Sequence, residues 1–196
     1  MNQPLEIYKR CINGPWTTAG KDTQYRIEED EEHIYLLLQG STSKQDWIDN
    51  FNFPAVPYRN MPVRWMAHRG FIRAWKEARD AIVEDIAQRP GFKSIIIAGY
   101  SHGGALATLA HEECVFRGWD VTTYTYGSPR VLWFSGGIVK GRFDKLYRYK
   151  VRGDIVTILP PSWLGYVHIG KRNALGKVSF PWHTNHYIDR YLNTLE

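Results

Sequence analysis

A serine flanked by glycine two residues to either side, in Gly99-Tyr100-Ser101-His102-Gly103-Gly104, follows the apolar run Ser94 to Ala98 and opens the helix-like stretch Gly104 to Phe116. Strand, tight turn, serine and helix in that order make a nucleophile elbow. Its requirement is steric: a serine raised on so sharp a bend needs almost no side chain two residues before and after it, and Gly99 and Gly103 meet that need. The chemistry served is nucleophilic attack. A serine hydroxyl is a poor nucleophile near neutral pH, so a base must lie within hydrogen-bond reach, and a third group must orient that base.

Where a serine stands on such an elbow, the acid and then the histidine follow it along the chain. Of the seven histidines, His33 and His68 precede the serine, His102 adjoins it, and His111 lies on the elbow's own helix. His168 sits inside the strand-like Tyr166-Val167-His168-Ile169, where a hydrogen-bonded structural histidine is expected. His183 and His186 are left, both in the loop that leads into the last helix. For the acid, Asp154 follows the strand-like Lys145 to Val151 and so stands at a strand's carboxyl end, where active groups collect in α/β sheets. Asp120 and Asp144 are alternatives at the starts of strands, where a solvated turn role suffices.

The elements that must position these groups read as an alternating run. Gln24 to Glu28 and His33 to Leu38 form two strands joined by the acidic turn Glu29 to Glu32. Lys44 to Asn50 is a short polar segment, and Pro54, Pro57 and Pro62 mark an irregular surface loop. Phe71, Trp75, Ala78, Ile82 and Ile86 share one face of a helix ended by Arg89-Pro90-Gly91. Ile95, Ile96 and Ile97 are an unbroken β-branched run, as in a parallel strand buried on both faces, and Ala105, Leu106, Leu109 and Ala110 then recur at helical spacing. Further strands are expected at Val121 to Tyr126, Lys145 to Val151 and Gly165 to Lys171, with a closing helix over Asn185 to Leu195. The class is therefore α/β, with a mostly parallel sheet covered by helices on both faces in one domain over residues 1–196.

With 43% apolar and 23% charged residues the composition is that of a globular protein, and no apolar run approaches the ~18 residues of a membrane span. The first residues, Met1-Asn2-Gln3-Pro4-Leu5-Glu6, lack a basic flank with an apolar core, and Cys11 and Cys114 lie far apart, so a reducing cytoplasmic setting is expected. The net charge of +5 is concentrated in Lys140, Arg142, Lys145, Arg148, Lys150 and Arg152, with Tyr147 and Tyr149 interleaved. Nucleic acid or an anionic lipid surface would suit such a segment, but a solvated strand edge accounts for it, and no nucleic-acid partner is expected.

Six short motifs, spread over about Leu36 to Leu192, resemble the class 3 lipase family in the family's order. Leu38-Gln39-Gly40-Ser41-Thr42-Ser43 with Asp46-Trp47 resembles its oxyanion segment, and His68-Arg69-Gly70-Phe71 its His-x-Gly-Phe element. Gly99 to Ala107 is similar to its elbow, and Tyr126-Gly127-Ser128-Pro129-Arg130 to its Gly-x-Pro-Arg turn. Asp154-Ile155-Val156 with Leu159-Pro160-Pro161 resembles the segment carrying the acid, and His186, with Tyr191-Leu192 five residues on, the catalytic histidine. Gln39 stands where the family usually has arginine, and the chain is shorter than the fungal enzymes between acid and histidine.

The resemblance implies an α/β-hydrolase fold and acyl transfer through an acyl-enzyme: Ser101 as nucleophile, His186 as base, Asp154 as its orienting acid, and the His102 and Ser41 backbone N–H groups as the oxyanion hole. Neither metal nor organic cofactor is required. The base must be neutral, so activity is expected to fall as pH drops through roughly 6 to 7. An ester needs an apolar groove, for which Val131, Leu132, Trp133 and Phe134 on one side and Pro161, Trp163 and Leu164 on the other are candidates. Lys44 to Asn50 occupies the place of the family's lid, with Trp47 and Ile48 as its apolar members; this favours an esterase, or a lipase with weak dependence on a lipid surface that it touches transiently. Three rivals stand beside this reading. His183 and His186 are spaced to share a metal ion, the fold could serve as an inactive binding module, and a phospholipase, thioesterase or acyltransferase would use the same machinery.

Overall fold

The computed structural model describes residues 3–21, 23–40, 54–58, 65–89, 93–133 and 141–196. Its first element is a helix, α1 (Gln3–Ile12), followed by the antiparallel strands β1 (Thr17–Ala19), β2 (Thr23–Glu29) and β3 (His33–Leu38). β3 then pairs in parallel with β6 (Ser94–Tyr100), which pairs in parallel with β7 (Val121–Tyr126). Beyond β7 lie β9 (Leu146–Val151) and β11 (Lys171–Leu175), again parallel. Among the described residues this sheet runs β1-β2-β3-β6-β7-β9-β11.

The isoleucine run explains why β6 is central. Alternate side chains of a strand point to opposite faces, and Ile95 and Ile97 enter one apolar cluster while Ile96 and Ala98 enter the other. β3 divides likewise, with Ile34, Leu36 and Leu38 on the first face and Tyr35 and Leu37 on the second. Two helices cover the first face: α2 (Arg69–Ala87), buried through Phe71, Trp75, Ala78, Ile82 and Ile86, and α3 (His102–Phe116), buried along most of its length. α1 and α4 (Ile188–Leu195) cover the second through Leu5, Tyr8, Cys11, Tyr191 and Leu195.

Several expectations need correction. The Pro-rich excursion contains β4 (Ala55–Tyr58), an edge strand of a second, antiparallel sheet with β5 (Trp65–His68), β8 (Leu132–Trp133) and β10 (Tyr166–Val167). Pro57 is tolerated there because an edge strand leaves one row of N–H groups unpaired. The single strand expected over Gly165 to Lys171 is two: β10 joins the second sheet, and β11 starts at Lys171 in the first. The closing helix starts at Ile188, after a 3-10 turn over Trp182–His186. Lys44 to Asn50, with Trp47, lies outside the described residues, as does Ser41.

Candidate functional site

Ser101 is the one non-glycine residue with positive φ among the described residues (φ 54°, ψ −121°), and it stands between β6 and α3. A side chain rarely adopts that backbone, and strain of this kind is held only where the surroundings over-determine it. Here the determinants are backbone. The Ser101 N–H donates to the Tyr126 carbonyl at 2.8 Å, and the Ser101 carbonyl accepts from Gly104 at 3.0 Å. A Cβ on Gly99 would overlap the Gly103 carbonyl and reach 2.6 Å from the Gly104 nitrogen. A Cβ on Gly103 would overlap the Leu38 carbonyl at the end of β3 and stand 2.7 Å from that of Gln39. The two glycines thus let the elbow close on itself and let β3 pass against it. One residue later the chain crosses the serine itself, since a Cβ on Gly40 would lie 3.6 Å from the Ser101 Cβ.

The structure brings His186 and Asp154 to this serine. His186 Nε2 lies 2.9 Å from Ser101 Oγ, and His186 Nδ1 lies 2.9 Å from Asp154 Oδ2. A carboxylate only accepts, so Nδ1 carries the proton and Nε2 presents its lone pair to the serine hydroxyl. Asp154 is 1% exposed. Besides His186 it accepts from the Val156 N–H at 2.9 Å and the Tyr191 hydroxyl at 2.5 Å. Burial, and then the Asp154 charge, raise the Tyr191 pKa well above the phenol range, which keeps this hydroxyl a donor. The Tyr191 oxygen also accepts from the Val151 N–H at 3.1 Å, tying α4 to the end of β9.

The imidazole is held on two sides and its loop is anchored separately. Tyr100 stacks on it with ring centroids 5.1 Å apart and donates its hydroxyl to the His186 carbonyl. Gly127, at φ +59°, leaves room for it, since a Cβ there would stand 3.0 Å from His186 Cε1 and 3.2 Å from Asp154 Oδ2. Asn185 anchors the loop by exchanging hydrogen bonds with Ser179, giving to its carbonyl at 2.8 Å and taking from its N–H at 3.0 Å. The segment after Asp154 is fastened by Arg130, whose guanidinium donates to the Ile158 and Pro160 carbonyls. Sequence reasoning missed Tyr100, Gly127, Asn185 and the role of Tyr191. Tyr100, Gly127 and Tyr191 did lie within quoted motifs, but nothing in their spacing says that they meet at His186.

The other candidates fall elsewhere. His102 contributes the first residue of α3, and burial pushes its imidazole down to about 4, so the ring stays neutral. His168 is structural as expected: its Nε2 lies 2.6 Å from the Thr157 carbonyl, and its pKa is pushed down to about 3, by burial first and by the nearby Arg148 charge second. His111 bridges Thr123 and the Arg142 carbonyl, each at 2.9 Å. His183 faces Tyr187 rather than the serine, and the described residues hold no group of three or more His, Cys, Asp or Glu able to grip a metal ion. Leu132 is 0% exposed and part of the core, which corrects its place as a groove residue. Trp133 donates its indole N–H to the Leu164 carbonyl at 2.8 Å, whereas Trp163 is 81% exposed.

The sequence pattern of the family Lipase (class 3) matches residues 35–163, from β3 through the elbow and Asp154, ending short of His186. A secreted mono- and diacylglycerol lipase of Fusarium solani is 32% identical over 78% of this chain and 46% of its own length. A lipase of Rhizomucor miehei is 31% identical over 80% of this chain and 46% of its own. The chain thus spans about half the length of these relatives. The crystal structure of a variant MDLA protein from Penicillium cyclopium superposes with a TM-score of 0.70 at 27% identity, over 83% of this chain and 63% of that one. The fold is that of the α/β-hydrolases.

These relatives also correct the expected cytoplasmic setting, because the F. solani protein is named as secreted. The cysteine argument fails on physical grounds: Cys11 and Cys114 are buried free thiols whose pKa burial raises to about 12, so they are inert in either compartment. A family pattern covering more than half of the residues, together with relatives above 30% identity, settles the relationship, and this chain belongs to the class 3 lipase family.

Proposed function

We propose that the chain hydrolyses carboxylic esters of the acylglycerol type through an acyl-enzyme. The observation that carries the reading is the continuous relay from Ser101 Oγ through His186 to Asp154, with both links at 2.9 Å. Ser101 Oγ attacks the ester carbonyl as its proton passes to His186 Nε2, and Asp154 stabilises the resulting imidazolium. The tetrahedral intermediate's oxyanion meets the His102 backbone N–H, at the positive end of the α3 dipole. Ser41 is the second donor; its segment lies outside the described residues, but Gly40 already passes over Ser101. His186 returns the proton to the departing alcohol, and water attacks the acyl-serine by the same route in reverse.

The substrate class rests on the relatives' names, two of which are a mono- and diacylglycerol lipase and a lipase. The test is turnover of p-nitrophenyl esters from C2 to C16 by the wild type and by Ser101→Ala, below and above the aggregation threshold. Serine-dependent turnover supports the reading, and a jump at aggregation would mark a surface-dependent lipase rather than an esterase. A folded wild type silent at every length would leave the binding-module alternative.

A further inference from the structure

The half of the sheet beyond β7 carries an unusual charge pattern on its α3 side. In the parallel register Thr125 of β7 lies beside Arg148 of β9, and Arg148 beside Arg172 of β11, so the three share one face; Lys150, two residues after Arg148, shares it as well. Arg130, from the turn after β7, reaches the same region. Arg148 feels the charges of Arg172 and Arg130, and Lys150 those of Arg130, Arg172 and Arg148. Arg148, Arg130 and Lys150 also help to depress His168.

Among the described residues none of the four cations makes an ion pair; Arg130 donates to two loop carbonyls and Arg148 Nε to the Ile169 carbonyl at 2.6 Å. Asp154, whose charge reaches Lys150, is already engaged by His186, Tyr191 and the Val156 N–H. Fastening the loops therefore accounts for Arg130 and Arg148 but leaves Lys150 and Arg172 without a task. A second observation is independent of charge. The Thr125 hydroxyl, on a residue 0% exposed, has no hydrogen-bond partner among the described residues, a costly arrangement unless something supplies one. Three partly desolvated cations, with the exposed Arg172 on the same face and an unused hydroxyl on the neighbouring strand, are what an oxyanion neutralises.

We propose that Arg130, Arg148, Lys150 and Arg172, with the Thr125 hydroxyl, bind a tetrahedral oxyanion of the phosphate class, as a free ion or as the head group of an anionic lipid. Arg130 also fastens the segment after Asp154, so the test rests on Lys150 and Arg172 and reads binding, which does not depend on ester hydrolysis. The full chain carrying Ser101→Ala is titrated with inorganic phosphate by calorimetry, ionic strength held constant with chloride. Saturable one-site binding is expected. It should weaken about tenfold or more when Lys150→Gln and Arg172→Gln are combined, as charge-assisted contacts are lost, and be unchanged by Lys76→Gln on α2. Arg172→Gln alone, at an exposed position, keeps the test valid if the double variant unfolds. Co-sedimentation with phosphatidylglycerol against phosphatidylcholine vesicles separates the sources. Dependence on the same cations only with phosphatidylglycerol assigns the site to lipid, and dependence in solution assigns it to the free ion. Absence of both, or binding indifferent to the two substitutions, overturns the proposal.

Discussion

The serine and its two partners are held by different kinds of structure. Ser101 sits where three parallel strands and a buried helix meet, fixed by backbone hydrogen bonds and by glycines with no space for a Cβ. Asp154 and His186 sit on loops and 3-10 turns with exposed apolar residues such as Trp163 and Phe180 in the same loops, fixed by a few side-chain contacts from Tyr191, Tyr100, Asn185 and Arg130. Ser101 is placed by packing that many residues share. Asp154 and His186 are placed by a few polar contacts, each replaceable one at a time. Damage on the serine side should therefore act through shared packing, lowering stability and activity together, and damage on the other side should act on kcat through the geometry of the relay.

The sharpest break in that contrast comes from the two late histidines. His186→Ala is expected to lower kcat by ~10² to 10⁴, the usual yield of a positioned base, while His183→Ala, whose ring faces Tyr187, should leave kcat within a few-fold. Equal losses in p-nitrophenyl ester turnover would misassign the base. Next is Gly99→Ala, where the new methyl meets backbone that cannot swing away; a loss of ~1–3 kcal/mol is expected, seen as a lowered Tm together with lost turnover. An unchanged Tm would mean that the elbow opens freely.

Tyr191→Phe is the matching probe of the loop side. It removes the donor to a buried carboxylate, worth about 1.5–3 kcal/mol for a charged partner, so kcat should fall roughly 10- to 100-fold with KM near the wild-type value. If the loss fell on KM instead, Tyr191 would shape the substrate site and not the relay. The smallest effect concerns acid. Burial holds His102 and His111 at about 4 and His168 at about 3, below the ordinary 6.5. Below about 6.5 the unfolded chain takes up protons that the native state refuses, so stability should decline from there toward pH 4 and be insensitive to these groups above it. Tm against pH should show this slope, and His111→Gln should flatten it by about one proton; a level Tm between pH 6.5 and 5 would contradict the burial of these rings.

The same contrast explains what could be read from the sequence. β3, β6 and β7 announce themselves as runs of apolar, β-branched and aromatic residues, as Ile95 to Ile97 are, and α2 and α3 by apolar residues at helical spacing, as from Phe71 to Ile86. The elbow is legible because sterics demand glycine at two fixed offsets. The second sheet is not, since its strands are two to four residues long and one contains a proline. β11, Lys-Arg-Asn-Ala-Leu, is an edge strand with no alternation to detect. α1 was missed although Leu5 and Tyr8, and Ile7 and Cys11, stand at helical spacing, because ten residues with four buried side chains give a short signal. Chain order and resemblance point to Asp154 and His186; Tyr100, Gly127 and Asn185 touch the histidine or its loop only through the fold.

The most direct measurement is covalent: the protein is treated with a fluorophosphonate, which releases fluoride on attack by an activated serine, and the modified peptide is identified by mass spectrometry. The account predicts one adduct, on Ser101, absent in Ser101→Ala and greatly slowed in His186→Ala. Failure of the folded wild type to react, or an adduct that persists in Ser101→Ala, would contradict it.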